Sequence, residues 1–514
     1  MHNKLPRMVR NAMIMMIGTF ASRILGLVRE IIIAAFFGAS RQLDAFYIAY
    51  TLANLSRQLL AEGALSAAFV PVFSKTLHKD GEKRAWDLAK QATAVLFIAG
   101  SVTVILGILI SPLLVSLMAP GFDAGKHHLA MLFTRSMFPF LLFVSMAALA
   151  MGVLNSMNYY FIPAVAPALS NVIFIITVLL FASRTGIWSL VFAVLLGGFS
   201  QFALQWFWTY KIDIFLWPAK PRRNDTELIQ MMKLFFPYAA GLSINQLNPV
   251  ISKILGSFLV DGAISVLNYA NRIIQLPLGL FVVAISQAVL PELSRSTLDS
   301  EDTFGTLMAQ SVRFTLFIVL PATAGLIFIS SEMVNLLFLR GAFGDWAWRA
   351  TSSSLMMYTL GLPGMACNTV LMRGLYAKGL PRAAVAVTMT SLVSNIFFSL
   401  ILMQFMSYNG LALANSIAFT LSAFTGWIII HRQLKGDFHV ISLSWIVKLS
   451  FCLVIMFTFI MLVKFFLPFP PYGSTVIKMV WIVTTISISV AVFGILTMFL
   501  KFDELDWIKH ALGK

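Results

Sequence analysis

Residues 11–37 read NAMIMMIGTFASRILGLVREIIIAAFF. The stretch is either a leader peptide or a membrane helix, and the choice fixes the fold. As a helix it runs about 40 Å, enough to cross a hydrocarbon core of about 30 Å. Lys4, Arg7 and Arg10 precede it, as in a secretory leader. No small-residue cleavage site interrupts the run, however, and Arg23 and Arg29 fall inside it, so it reads as an uncleaved first span. Period-two alternation is absent and backbone groups in lipid must be satisfied internally, which makes the span a helix.

The rest of the chain repeats the pattern. Hydrophobic residues make up 59% of 514 residues and charged ones 11%, with a mean hydropathy of +0.86. A soluble domain carries about a quarter charged residues. Further apolar segments fall at 44–71, 90–118, 128–156, 161–183 and 187–209. After a basic linker they resume at 228–259, 262–290, 306–331, 350–376, 383–406, 409–431, 443–466 and 474–500. The sequence thus predicts an all-α integral membrane protein of about fourteen transmembrane helices, built as a transporter.

The charges orient it. With the N-terminus cytoplasmic, inside loops hold about twenty basic residues and outside loops about five, a strong positive-inside bias. Lys75, Lys79, Lys83, Arg84 and the 211–223 cluster lie inside; Arg41, Lys126, Arg184, Arg340 and Arg349 lie outside. Both termini are expected in the cytoplasm. The net charge of +16 is explained by this bias rather than by nucleic-acid binding, which needs a basic soluble face.

A repeat is also visible. Leu290-Pro291 echoes Val70-Pro71, and Ser394-Asn395 echoes Ser170-Asn171, both at an offset of about 220 residues. We expect two six-helix lobes around a central cavity plus two added C-terminal helices. Their bounds are 1–210 for the N-lobe, 211–227 for the linker, 228–435 for the C-lobe and 436–514 for the added pair and tail.

Charges inside spans cost several kcal/mol unless they face a partner or polar space. Arg23, Arg29 and Glu30 lie in span one; Asp44, Arg57 and Glu62 lie in span two. Counted from the turn at Gly38 or from Asp44, Arg23 and Arg57 both lie about 20 Å deep, and Arg272 in span eight about 15 Å. The four arginines outnumber the nearby acids, and guanidinium binds phosphate oxygens bidentately without losing its proton. A central cavity receiving a phosphorylated or pyrophosphorylated cargo fits this excess; internal pairing with Glu30 or Glu62, or snorkelling to a headgroup zone, is the alternative. Lys253 sits deep enough in span seven to join the site. Arg135, Lys233, Arg313, Arg373, Lys448, Lys464 and Lys478 lie near helix ends and are expected to snorkel. Gly26 is a candidate bending point of span one.

No Walker loop, zinc-type His/Glu pair or acid pair for magnesium is present, so neither an enzyme nor a cofactor or metal site is expected. Cys367 and Cys452 lie in apolar runs and imply no disulfide framework.

Ser22-Arg23-Ile24-Leu25-Gly26-Leu27-Val28-Arg29-Glu30, Leu43-Asp44-Ala45-Phe46, Asn54-Leu55-Ser56-Arg57 and the run from Ala61 to Pro71 closely resemble the lipid II flippases (the MurJ/MviN family). That family belongs to the multidrug/oligosaccharidyl-lipid/polysaccharide exporter superfamily. The likeness continues more loosely through Tyr269-Ala270-Asn271-Arg272 and Leu290-Pro291. It implies that lipid II is moved from the cytoplasmic to the periplasmic leaflet of a bacterial inner membrane. It also implies that Arg23, Arg29, Arg57 and Arg272 line the central cavity, that Ala34 lines it too, and that Asp44 is functionally important. The last two helices would hold the lipid tail. Partners implied are lipid II, membrane lipids and the cell-wall synthesis machinery, with no nucleic acid. Where relatives can carry acids beside the last arginine, this chain has Asn271 and Gln275. Any gating ion pair there is placed in doubt. A flippase for another polyprenyl-linked glycan, or a non-transporting wall scaffold, remains open as an alternative.

Overall fold

The computed structural model describes residues 4–58, 64–222, 224–299, 301–434 and 442–511. Every regular element among them is helical. The chain forms two compact units, residues 1–265 and 266–514, divided later in the sequence than the lobe boundary read above.

The first unit contains α1 (Lys4–Phe37), α2 (Arg41–Arg57), α3 (Ala64–Asp80), α4 (Glu82–Leu109), α5 (Ser111–Met118) and α6 (Ala124–Met137). It continues with α7 (Phe140–Ser156), α8 (Phe161–Thr185), α9 (Trp188–Lys211), α10 (Thr226–Asn245) and α11 (Leu247–Gly256). The helix α12 (Ala263–Pro277) begins at the division and passes through a π-helical turn at Leu278–Val282 into α13 (Val283–Asp299). The second unit then adds α14 (Glu301–Phe338), α15 (Asp345–Thr359), α16 (Leu362–Ala377), α17 (Pro381–Met406) and α18 (Tyr408–Gln433). It ends with α19 (Leu443–Phe466), α20 (Thr475–Phe499) and the short α21 (Asp503–Ala511).

Among the described residues ten helices are long and apolar enough to cross a membrane, eleven if α15 and α16, bent by 44°, form one span. The expected fourteen are compatible with this count. A count of fourteen would take α1, α2 with α3, and α10 with α11 as the other three. Those are the segments that carry intramembrane charge or are broken in two.

Helix α20 shows the pattern of a membrane span, with hydroxyls turned inward and valines outward. On α20, Val476, Val480 and Val490 are exposed while Thr485, Ser489 and Thr497 are buried. Each of those hydroxyls donates to the carbonyl four residues back, at 2.8, 2.6 and 3.0 Å. Lipid is as good a solvent for valine as the interior is, so polar and small residues take the inner face. Small residues also set the closest helix approaches. A Cβ added to Gly364 of α16 would come within 2.7 Å of the Thr420 Cα on α18, and one on Gly197 of α9 within 2.9 Å of the Ser170 hydroxyl on α8. Gly361 meets Ser416 in the same manner.

Turn conformations recur at the offset of the repeat. Gly38 has φ 59° and Gly262 φ 90°; Asn158 has 65° and Gly379 67°; Gly186 has 57° and Ser407 52°. The last pair also agree in ψ, at −136° and −130°. This left-handed region suits glycine, so Ser407 holds a glycine's place at a steric cost.

Several span-embedded bases expected to snorkel instead find partners. Lys464 pairs with Glu332 at 2.8 Å and donates to the Phe328 carbonyl at 2.5 Å. Arg313 pairs with Asp503 at 2.7 Å and Glu504 at 2.6 Å, and Trp445 donates to Glu504 at 2.8 Å. Arg135 donates to Ser111 at 2.9 Å and Lys448 to the Leu500 carbonyl at 3.2 Å. A carboxylate or carbonyl within reach is a better partner than a distant headgroup.

Candidate functional site

The first unit gathers the charges of α1, α2 and α11 into one polar chain. Arg29 donates to Glu30 at 2.9 Å and to the Asn171 side-chain oxygen on α8 at 3.3 Å. Its guanidinium also lies over the rings of Phe174 (5.1 Å) and Tyr50 (5.9 Å), where the ring quadrupoles attract a cation. Glu30 is buried and accepts from the Tyr47 hydroxyl at 2.8 Å. Asn171 is fixed in turn, its amide donating to the Ser22 and Pro167 carbonyls at 3.3 and 3.2 Å.

Lys253 of α11 donates to the Thr51 hydroxyl, which itself donates to the Tyr47 carbonyl at 2.6 Å. It lies within electrostatic reach of Glu30. Arg57 donates through Nε to Asn54 at 2.9 Å, three residues back on the same helix face. Arg23 is exposed. Arg29, Glu30 and Lys253 are therefore brought together, while Arg23 and Arg57 stand along the same helices at other levels.

The other expected residues fall as follows. Gly26 is buried on α1, and Ala34 has no exposed surface at all, so it packs against neighbours instead of facing open space. Arg272 is half-buried and Asn271 and Gln275 are exposed, all three on α12 in the second unit. Glu62 lies outside the described residues.

A second polar cluster surrounds Asp44, which is 1% exposed. Ser40 caps α2, with the Leu43 amide donating to its hydroxyl at 3.3 Å, and this sets Asp44 in the first turn. One carboxylate oxygen accepts from Lys126 at 3.0 Å and from the Gly262 amide at 2.7 Å. The other accepts from the Ser265 amide at 2.9 Å and its hydroxyl at 2.7 Å. Lys126 reaches on to Asp261 at 2.8 Å. Arg41 joins through Asp123 and, at 3.7 Å, through Asp261. The α11–α12 connection is thereby clasped to the start of α2 and α6. Burying this carboxylate is tolerable because every lone-pair direction has a donor.

Asn171, Tyr47, Thr51, Lys126, Asp261 and Ser265 were not singled out as site residues from sequence. Ser170-Asn171 was visible as a repeat signal, but Lys126 looked like an ordinary outer-loop base. Among the described residues no group of three or more His, Cys, Asp or Glu could hold a metal ion.

Known proteins share this arrangement of helices. The family model described as "Lipid II flippase MurJ" matches residues 33–500. The chain belongs to the lipid II flippase MurJ family. The probable lipid II flippase MurJ of Vibrio cholerae is 32% identical over 451 residues, covering 84% of each chain. A solved lipid II flippase MurJ in an inward closed conformation superposes with a TM-score of 0.80 at 28% identity, covering 95% of this chain and 98% of that one. An inward-facing multidrug resistance MATE family transporter of the MOP superfamily has the same fold, with a TM-score of 0.68 at 16% identity, covering 80% of this chain and 94% of that one. MurJ-family membership makes the chain a multi-pass membrane protein of a transporter family.

Proposed function

We propose that this protein carries lipid II from the cytoplasmic to the periplasmic leaflet of the bacterial inner membrane by alternating access, with both termini in the cytoplasm. Its MurJ-family membership names the cargo. The geometry that supports it best is Arg29. This guanidinium stays charged at any working pH, has Glu30 as its ion-pair partner and keeps a buried Nε–H without an acceptor among the described residues. Arg23, Arg57 and Lys253 add three further cations on the same unit. The surplus suits a pyrophosphate, whose oxygens accept from guanidinium forks two at a time. Arg272 is assigned to the same anion on the family resemblance alone. The Asp44 clasp serves as the closed-state fastening of the α11–α12 connection.

The test is rescue of a strain depleted of its own lipid II flippase, with lipid II exposed at the outer face as the readout. The wild-type chain should rescue, and Arg29→Ala and Arg57→Ala should not. Near-normal exposure in both variants would remove the cationic site, and failure of the wild type would remove the cargo.

A further inference from the structure

Helix α2 carries Asp44, Tyr47 and Thr51 at helical spacing, which puts them on one face. Asp44 and Thr51 lie about 10 Å apart along the axis. The segment running from α11 into α12 is fastened to that face at both levels. At the start of α2, Asp44 takes the Gly262 and Ser265 amides at 2.7 and 2.9 Å. Two turns along, Thr51 takes the Lys253 ammonium of α11. Tyr47 stands between them and donates to Glu30 at 2.8 Å, so the second fastening adjoins the Arg29 cluster.

The two fastenings differ in chemistry. Asp44 is an ionised group met by charged and neutral donors on both oxygens. Lys253 is a half-buried ammonium whose one acceptor among the described residues is a neutral hydroxyl. The acid within its electrostatic reach is Glu30. Both Glu30 oxygens already accept, one from Arg29 at 2.9 Å and the other from Tyr47 at 2.8 Å. Lys126 and Lys464, by contrast, each hold a carboxylate directly. Lys253 is thus the cation of this unit with the weakest hold on its partner. A phosphate oxygen would offer it opposite charge as well as a hydrogen bond, and a lysine head on its flexible stem can swing without its helix moving.

We infer that Lys253 is a movable ligand for the pyrophosphate of the cargo, resting on Thr51 when no anion is bound and passing to the anion that Arg29 has engaged. The transfer gives up the second fastening, so that α11 is held to this face of α2 by the Asp44 clasp alone while cargo is bound. This rests on the anionic cargo proposed above and adds how its arrival is felt at the α11–α12 connection. A ligand shifts a conformation only through contacts that differ between the two states, and the Lys253–Thr51 bond is such a contact. By reciprocity, whatever frees Lys253 from Thr51 beforehand must tighten the binding of the anion.

The experiment uses the delipidated full-length protein in detergent, with undecaprenyl pyrophosphate as the probe and undecaprenol, the same chain without phosphates, as its control. Binding is read by native mass spectrometry and the clasp by hydrogen exchange at the Gly262 and Ser265 amides. Wild type should bind the pyrophosphate in preference and exchange faster at both amides once it is bound. Lys253→Met should weaken binding about three- to tenfold, Lys253→Arg should recover most of the loss, and Thr51→Val should tighten binding by a similar factor. A lysine that merely packs cannot give opposite signs in Lys253→Met and Thr51→Val. In Thr51→Val the two amides should also exchange fast before the probe is added and respond to it little. Unchanged or weaker binding in Thr51→Val, or unchanged binding in Lys253→Met, would overturn the inference and leave the Arg29 site standing. Failure of the wild type to distinguish the pyrophosphate from undecaprenol would instead remove the anionic cargo, and the inference with it.

Discussion

Arg29 and Asn171 lie 142 residues apart in the chain, and the guanidinium of one donates to the side-chain oxygen of the other at 3.3 Å. Asn171 is itself anchored to backbone on both α1 and α8, so it aims Arg29 instead of merely neighbouring it. Arg29→Ala should weaken lipid II capture by about 1.5–3 kcal/mol, roughly 10- to 150-fold. Arg29→Lys should recover part of this, because an ammonium keeps the charge but not the fork. Asn171→Ala should cost less than Arg29→Ala. Binding of lipid II to purified protein measures all three, and an Asn171→Ala loss as large as that of Arg29→Ala would contradict the aiming role.

Removal of the Asp44 carboxylate strips four hydrogen bonds at once and leaves Lys126, itself 3% exposed, with Asp261 alone. Breaking a buried pair from one side costs about 3–5 kcal/mol. Asp44→Ala should therefore lower the unfolding temperature of the detergent-solubilised protein by several degrees, and Asp44→Asn by less. An unchanged unfolding temperature in Asp44→Ala would show that the clasp contributes nothing to stability.

Ser407 occupies a backbone conformation that its counterpart Gly186 adopts freely. Ser407→Gly should raise stability, since a non-glycine residue in this region costs on the order of 1–3 kcal/mol. Gly186→Ser should lower it by a similar amount. Thermal unfolding of the two single variants checks both signs.

Asp225 lies outside the membrane spans. Burial opposes its ionisation, but the hydrogen bonds from Arg84, the Leu228 amide and Gln91 outweigh this and hold its carboxyl well below the ordinary value of 3.8. A folded value below the unfolded one stabilises this tie of the linker to α4 fully above pH of about 4, and the contribution fades as pH falls further. Hydrogen exchange at the Leu228 amide should be protected at neutral pH and lose protection in acid. Asp225→Asn should already be less protected at neutral pH and change less on acidification.

Lys464 and Glu332 neutralise each other between α19 and α14. Lys464→Ala alone should destabilise the second unit, because Glu332 is left mostly buried without its cation. The double change Lys464→Met with Glu332→Gln should be milder than either single truncation. Unfolding temperatures of the three variants decide it, and additive losses would mean the pair is not coupled.

Hydropathy and charge were enough to read the helices, because a membrane span must be apolar over its full length wherever it packs. The repeat was legible for a related reason: Ser170-Asn171 and Ser394-Asn395 are local pairs whose offset survives without any structure. The partners of the charges were not. Lys126 and Arg41 look like loop bases until Asp44 and Asp261 are brought beside them, and Arg313 and Lys464 look like snorkelling bases until Glu504 and Glu332 arrive. Such pairings join residues tens to hundreds of positions apart, and no local pattern encodes them. The in-and-out alternation from Ile214 to Trp217 is not legible either, because all four residues are apolar and only their burial separates them.

The glycine contacts at Gly361, Gly364 and Gly197 have a mechanical consequence. Where one helix backbone rests on another, no side chain remains that could repack to a second arrangement, so such a seam either holds or separates. Flexing is thereby driven out of the tightly seamed pairs α16 with α18 and α8 with α9. It is left to connections that such seams do not bridge, such as 257–262, where a few torsions can absorb it. The residues that stiffen each half of the machine are those with nothing to show a cargo.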